Sequence, residues 1–299
     1  MKLQDRREFL KTLGTLTTSG VILNGVSPQN VRASDSEKLH DEAMGVLVDT
    51  TICIGCRKCE WACKKAHNIP PGKISEYEDR SVFAEIRRPD EETLTVVNEY
   101  ENKKTELTYN AKIQCMHCNH PACVSACIVG AITKKENGAV VWNTDKCIGC
   151  RYCMVACPFQ IPAFEYHKAI DPRIMKCDFC YDRQTLGKLP ACVEICPVEA
   201  LTFGRKIDIL EEAHRRIKAH PDKYYPHVYG EYEVGGTSWI YLASTDLRET
   251  VLPKLGKDPA PGVTEAIQHG LFAYFIPPLA LYALLGGIMW LTKSDSEED

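Results

Sequence analysis

Sixteen cysteines in 299 residues are far more than an ordinary fold uses, and their spacing sorts them into four quartets. Cys53, Cys56, Cys59 and Cys63 follow the pattern C-x2-C-x2-C-x3-C, and Cys147, Cys150, Cys153 and Cys157 repeat it with Pro158 behind them. Cys115, Cys118, Cys123 and Cys127 widen the middle gap by two residues, while Cys177, Cys180, Cys192 and Cys196 widen it to eleven. No cysteine is left over. Three thiolates spaced in this way wrap one iron-sulfur cluster from a tight loop, and the fourth ligand comes from elsewhere in the chain. Disulfides inside such loops would be strained. Zinc shares the C-x2-C pair, but it explains neither the third cysteine two residues on nor the proline after the fourth. The quartets therefore predict four [4Fe-4S] clusters.

The segments that must position these loops are themselves duplicated. Cys53 to Cys63 matches Cys147 to Cys157 at eight of eleven positions, and Pro121-Ala122-Cys123-Val124 is echoed by Pro190-Ala191-Cys192-Val193. The chain reads as two copies of a two-motif unit. After the second motif, Ala131 to Thr133, a turn at Glu136-Asn137-Gly138, and Ala139 to Trp142 read as a hairpin leading into the third motif. Ala200 to Phe203 and Gly45 to Val48 look like the two strands of the equivalent outer hairpin, so the outer motifs are expected to close around the inner pair. In two-cluster ferredoxins the fourth cysteine of each run serves the other cluster. That rule assigns Cys53, Cys56 and Cys59 with Cys196; Cys177, Cys180 and Cys192 with Cys63; Cys115, Cys118 and Cys123 with Cys157; and Cys147, Cys150 and Cys153 with Cys127. The expected fold is α+β, two nested bacterial-ferredoxin-like dicluster modules over residues 45–204 plus a C-terminal transmembrane helix.

Elsewhere the chain is quieter. Ser81 to Ile86, Thr93 to Val97 and Glu106 to Tyr109 are short strand candidates read as scaffolding. Residues 207–219 read as an amphipathic helix, within a helix and docking segment spanning 205–268. His117 and His120, inside the second motif, are either tuning groups for a neighbouring cluster or solvated loop histidines. The net charge of -4 and the lack of a basic stripe interleaved with aromatics exclude nucleic acid as a partner. No Gly-rich nucleotide loop and no nucleophile-base pair is visible, so the chain reads as non-catalytic.

Both ends suggest export and anchoring. Asp5-Arg6-Arg7-Glu8-Phe9-Leu10-Lys11, a weakly apolar run to Val26 and small residues at Val31-Arg32-Ala33 resemble a twin-arginine signal over residues 1–33. From Leu271 to Leu291 there are 21 consecutive uncharged residues, enough at helical rise to span about 31 Å. This predicts a transmembrane helix over 269–291, with His269, Tyr274 and Trp290 near its interfaces. A cytoplasmic tail over 292–299 completes the expectation, and the cluster domain is placed on the periplasmic side of the cytoplasmic membrane.

Taken together, the four motifs, the signal, Lys223-Tyr224-Tyr225-Pro226-His227-Val228-Tyr229-Gly230, Gly235-Gly236-Thr237, Leu252-Pro253-Lys254-Leu255 and the C-terminal apolar run resemble the four-cluster iron-sulfur subunits that accompany molybdopterin oxidoreductases and certain nickel-iron hydrogenases. Within that family the chain is most similar to the hydrogenase-2 iron-sulfur subunit, with the formate dehydrogenase beta subunit close behind. It departs from the family at Ile128 and Lys64, where proline usually follows the fourth cysteine. The resemblance implies an electron-transfer subunit relaying electrons between a catalytic subunit, a nickel-iron hydrogenase or a molybdopterin enzyme, and a multi-span membrane quinone-reactive subunit. A zinc-stabilised, membrane-tethered interaction protein is the rival from another class.

Overall fold

The computed structural model describes residues 43–102 and 108–262, together with Leu285. The chain divides into a unit of residues 37–262, which carries every motif, and one of residues 1–36 and 263–299, of which only Leu285 is described.

Strand β1, Met44–Asp49, is buried on both faces from Gly45 onward, as its near-continuous apolar run requires of a central strand. Helix α1, Lys58–Ala66, carries the end of the first motif. A hairpin follows, β2 Thr95–Glu101 against β3 Thr108–Gln114. The second motif runs into the short helix α2, Ala122–Ser125, then β4 Ile132–Lys134 pairs with β5 Val140–Trp142. Helix α3, Tyr152–Ala156, belongs to the third motif. The small pair β6 Ala163–Phe164 and β7 Ile174–Met175 leads to α4 Tyr181–Thr185 and α5 Ala191–Glu194 of the fourth motif. Strand β8, Leu201–Arg205, runs directly into α6, Lys206–Ala219, and β9 is Trp239–Leu242.

The main sheet has the order β8-β1-β9. β1 is antiparallel to β8, with Val48 opposite Leu201, and parallel to β9, with Val46 opposite Trp239. The segments flanking the first and fourth motifs are therefore hydrogen-bonded to each other. The inner hairpin is tied to the same sheet, because Met44 N donates to Asn137 O at 3.0 Å.

Alternation along β1 separates two cores. Val46 and Val48 pack with Cys115, Cys177, Cys192 and Trp239, whereas Leu47 packs with Ile209, Ala213 and Tyr224. The second core is the buried stripe of α6, whose residues 209 and 213 recur at helical spacing with partly buried Ile217. Asp208 in its first turn and Arg216 in its last suit the helix dipole. Asp49, at the end of β1, accepts from Tyr224 Oη at 2.7 Å and Arg216 Nη1 at 3.1 Å. The C-terminal end of that helix is thereby pinned to the residue from which the first cysteine loop departs.

Three expectations are corrected. Among the described residues no helix is long and apolar enough to cross a membrane; the longest, α6, has 14 residues and a charged face. The expected transmembrane helix over 269–291 lies outside the described residues apart from Leu285. Among the described residues the fold class is accordingly α+β of ferredoxin-like content with no membrane-crossing helix, and the expected location, anchored by that helix on the periplasmic side of the membrane, is not supported. Ser81 to Ile86, expected as a strand, instead forms a 3-10 helix at Ser81–Ala84. The Asp79 carboxylate accepts from Ser81 N at 2.9 Å and Ser81 Oγ at 2.8 Å, which starts a turn in place of a strand. The signal over residues 1–33 and the tail over 292–299 lie outside the described residues.

Candidate metal centres

Each quartet begins on the same backbone device. The residue before the second cysteine is left-handed in all four motifs: Gly55 (φ 69°), His117 (φ 48°), Gly149 (φ 69°) and Phe179 (φ 66°). A turn through this region directs successive backbone N–H groups toward one concave side, the geometry that favours a negatively charged occupant. At Gly55 the absence of a side chain is needed twice over, because a Cβ would run into the Asn110 carboxamide, which itself donates to Cys53 O at 3.2 Å. His117 and Phe179 take the same conformation despite its usual cost of about 1–2 kcal/mol; both are fully buried and their rings meet at a tilt of 33°, centroids 4.8 Å apart.

The fourth cysteines follow a second shared device. Gly130, Gln160 and Glu199, each three residues after a fourth cysteine, are left-handed and donate their N–H to that cysteine's carbonyl at 3.0, 3.0 and 3.4 Å. Ile128 therefore leaves the turn after Cys127 like those after Cys157 and Cys196, which do precede proline. Lys64 does change the local structure: without proline, α1 continues past Cys63 to Ala66.

Thiols from different motifs meet. Cys53, Cys56, Cys59 and Cys196 line one cavity, with Arg57 and Lys112 in its wall. Cys127, Cys147, Cys150 and Cys153 line another. Burial pushes the Cys63 thiol well up, and Cys177, Cys192 and Cys180 add to the rise; Cys118 is likewise raised by burial, then by Cys115, Cys157 and Cys123. Neighbouring sets also feel each other. Cys59 is raised by Cys192, Cys177 by Cys115, and Cys123 by Cys153, in each case after the larger effect of burial. Burial takes Cys53 and Cys153 to about 11 and Cys123 and Cys180 to about 12. Such thiols ionise only against a compensating cation, and metal supplies one.

Buried polar groups missed by sequence reasoning support the walls. Glu60 on α1 accepts from Val97 N at 2.6 Å, Arg87 Nη2 at 2.7 Å and Arg57 Nη2 at 3.2 Å, clamping α1 to β2. Lys112 and Lys176 are buried, and sulfur surrounds them. Burial would lower both lysines, yet Cys192, Cys59 and Cys177 hold Lys112 above its ordinary value, and Cys115, Cys123 and Cys177 do so for Lys176. His117 is no solvated loop histidine: its Nδ1 accepts from Val140 N at 2.8 Å, and its buried Nε2 has no hydrogen-bond partner among the described residues. His120 is half-buried, and His269 lies outside the described residues. His67 joins Asp178 and Cys180 in a group of metal-ligating atoms within 4.8 Å, but its Nε2 is bound to Asp178 at 2.7 Å and its Nδ1 to Cys63 O at 2.8 Å. Soft sulfur donors around each cavity, with cations and not carboxylates in the walls, fit iron-sulfur clusters.

Comparison with known proteins agrees with this chemistry. The 4Fe-4S dicluster domain family matches residues 105–206, which hold the second, third and fourth motifs. A protein of Nitratidesulfovibrio vulgaris is 46% identical over 263 residues, covering 87% of this chain and 70% of its own. The hydrogenase-2 operon protein HybA of Escherichia coli O157:H7 is 32% identical, with 99% of this chain and 97% of its own covered. The iron-sulfur subunit of the nitrate-inducible formate dehydrogenase of Escherichia coli is 35% identical across 75% of this chain and 76% of its own.

Proposed function

The chain belongs to the family of iron-sulfur subunits of oxidoreductase complexes that includes the hydrogenase-2 and formate dehydrogenase proteins, and from that membership we propose that it holds four [4Fe-4S] clusters on its 16 cysteines. It is a non-catalytic electron-transfer subunit that works beside a catalytic partner. The observation that carries the four-cluster reading is the cavity walled by Cys53, Cys56, Cys59 and Cys196, where the first motif and the end of the last one meet.

The proposed first set is Cys53, Cys56, Cys59 and Cys196, and the second is Cys63, Cys177, Cys180 and Cys192. The third is Cys115, Cys118, Cys123 and Cys157, and the fourth is Cys127, Cys147, Cys150 and Cys153. Clusters bound there would supply single-electron storage at potentials set by charge, burial and hydrogen bonds to sulfur. The protein's part is to hold the thiolates, exclude water and keep adjacent sets close. Coupling between Cys59 and Cys192, Cys177 and Cys115, and Cys123 and Cys153 supports a consecutive order from first set to fourth.

The proposed catalytic partner is a nickel-iron hydrogenase, with a multi-span quinone-reactive subunit as the other partner. Support comes from the alignment with the hydrogenase-2 operon protein, which runs through nearly the whole of both chains. A molybdopterin enzyme of the formate dehydrogenase type is the second reading, favoured by an identity of 35% over a shorter stretch. Purification of the native complex through a tag on this chain, followed by metal analysis, distinguishes them. Nickel without molybdenum is the expected result, and molybdenum or tungsten without nickel overturns the hydrogenase assignment.

A further inference from the structure

We propose that two buried lysines set the potentials of the clusters they separate, Lys112 standing between the first and second thiol sets and Lys176 between the second and third. The inference rests on the cluster assignment above.

Lys112 sits in the middle of β3 and is 2% exposed. Its Nζ donates to Gln114 Oε1 at 2.8 Å and lies 4.3 Å from the centroid of the Trp239 ring. The side chain lines the cavity of the first set, and the Trp239 ring under its ammonium belongs to the buried cluster that holds Cys177 and Cys192 of the second. Lys176 is 6% exposed and donates to Val140 O at 2.5 Å and Cys177 O at 3.0 Å. Cys177 belongs to the second set, and Val140 packs in one buried cluster with Cys123 of the third, so the ammonium lies between the two. Among the described residues neither lysine forms an ion pair with a carboxylate; Asp178, the acid that acts on Lys176, is hydrogen-bonded to His67.

A buried ammonium whose contacts are neutral groups is expensive, and thiolate-ligated clusters on both sides would compensate it. Reduction adds one electron to a cluster and no proton, so the site gains one negative charge while each lysine keeps its proton. An adjacent ammonium stabilises that charge, and water screens it little at this depth. The fourth set differs. Its nearby cation, Arg151, is exposed and lies over Phe164 and Tyr166 at 5.5 and 5.6 Å. The lysines therefore act on the first three clusters and leave the fourth to solvent.

The test is a dithionite titration of the cluster-loaded full chain, followed by electron paramagnetic resonance, in wild type, Lys112→Met, Lys112→Arg, Lys176→Met and Lys176→Arg. Each Met variant is expected to make two one-electron reductions at least tenfold less favourable, about 59 mV lower for one electron. One of the lowered steps, that of the second set, is common to both variants. The Arg variants are expected to keep the wild-type potentials more closely than the Met variants. Potentials unchanged in loaded Met variants, an equal shift of all four steps, or equal shifts in Met and Arg variants overturn the proposal. Lys112→Gln and Lys176→Gln provide polar neutral replacements; loss of clusters from both the Met and the Gln variant at a position makes that lysine structural and also overturns it. Iron and visible absorption are measured on the wild type first, so a failure of the cluster reading appears as absent iron and is distinct from loaded protein with unshifted potentials.

Discussion

At Gly55 two demands coincide, a left-handed backbone (φ 69°) and space occupied by the Asn110 carboxamide, whereas Gly130 (φ 60°) has open space where a Cβ would stand. Gly130→Ala is therefore expected to cost only the left-handed penalty, about 1–2 kcal/mol. Gly55→Ala should cost more, because Asn110 must also give up its hydrogen bond to Cys53 O. Denaturant unfolding of the two loaded variants checks the order, and equal losses would show that Asn110 yields freely. Glu60 makes a sharper case. Its carboxylate answers two guanidinium groups and a backbone amide while only 1% exposed, so Glu60→Ala leaves charge uncompensated and should destabilise by about 3–5 kcal/mol. A loss under about 1 kcal/mol would mean that water reaches Arg57 and Arg87 and replaces the clamp. Neither Glu60 nor Lys112 was legible in the sequence as a buried group. In β3, Asn110, Lys112 and Gln114 alternate with Tyr109, Ala111 and Ile113, a pattern that ordinarily marks a solvent face. Both faces are buried because the first cysteine loop lies over Asn110 and Lys112 and the β9 residues Trp239 and Tyr241 meet Lys112 and Gln114, and that cover is a tertiary fact that no local period encodes.

The elements divide labour between metal and scaffold. Leu47 faces α6, while Val46 and Val48 on the same strand face the core that contains Cys115, Cys177 and Cys192. Leu47→Ala is expected to cost about 2–5 kcal/mol without moving any cluster potential, as read by thermal unfolding beside a redox titration. A shift in potential with that substitution would show that the sheet transmits strain to the thiols. The pairing of β1 with β8 and of β4 with β5 was legible, because turn residues and short apolar runs flank the motifs in a repeated order. The α6 helix was legible from its period. The apolar run from Leu271 to Leu291 suggested a membrane helix by hydropathy and length; it lies outside the described residues apart from Leu285, and among the described residues no helix is long and apolar enough to cross a membrane.

Across the whole molecule, the cysteines of four separate motifs converge on shared cavities because the outer strands close on each other around the inner hairpin. The four motifs were plain in the spacing, whereas the cations between them were not, since charge placement depends on which strand the loops cover. Crossed ligation has a specific consequence. Cys196→Ser and Cys53→Ser should perturb the same spectroscopic signal, and the double substitution should perturb no second one; separate signals for the two would place Cys196 in another set. The most direct test of the account is to count iron, acid-labile sulfide, zinc and electrons in the full chain purified without oxygen. Four clusters predict about 16 iron and 16 sulfide per chain with uptake of about four electrons. Stoichiometric zinc with no electron uptake, or about eight iron with two electrons, would contradict it.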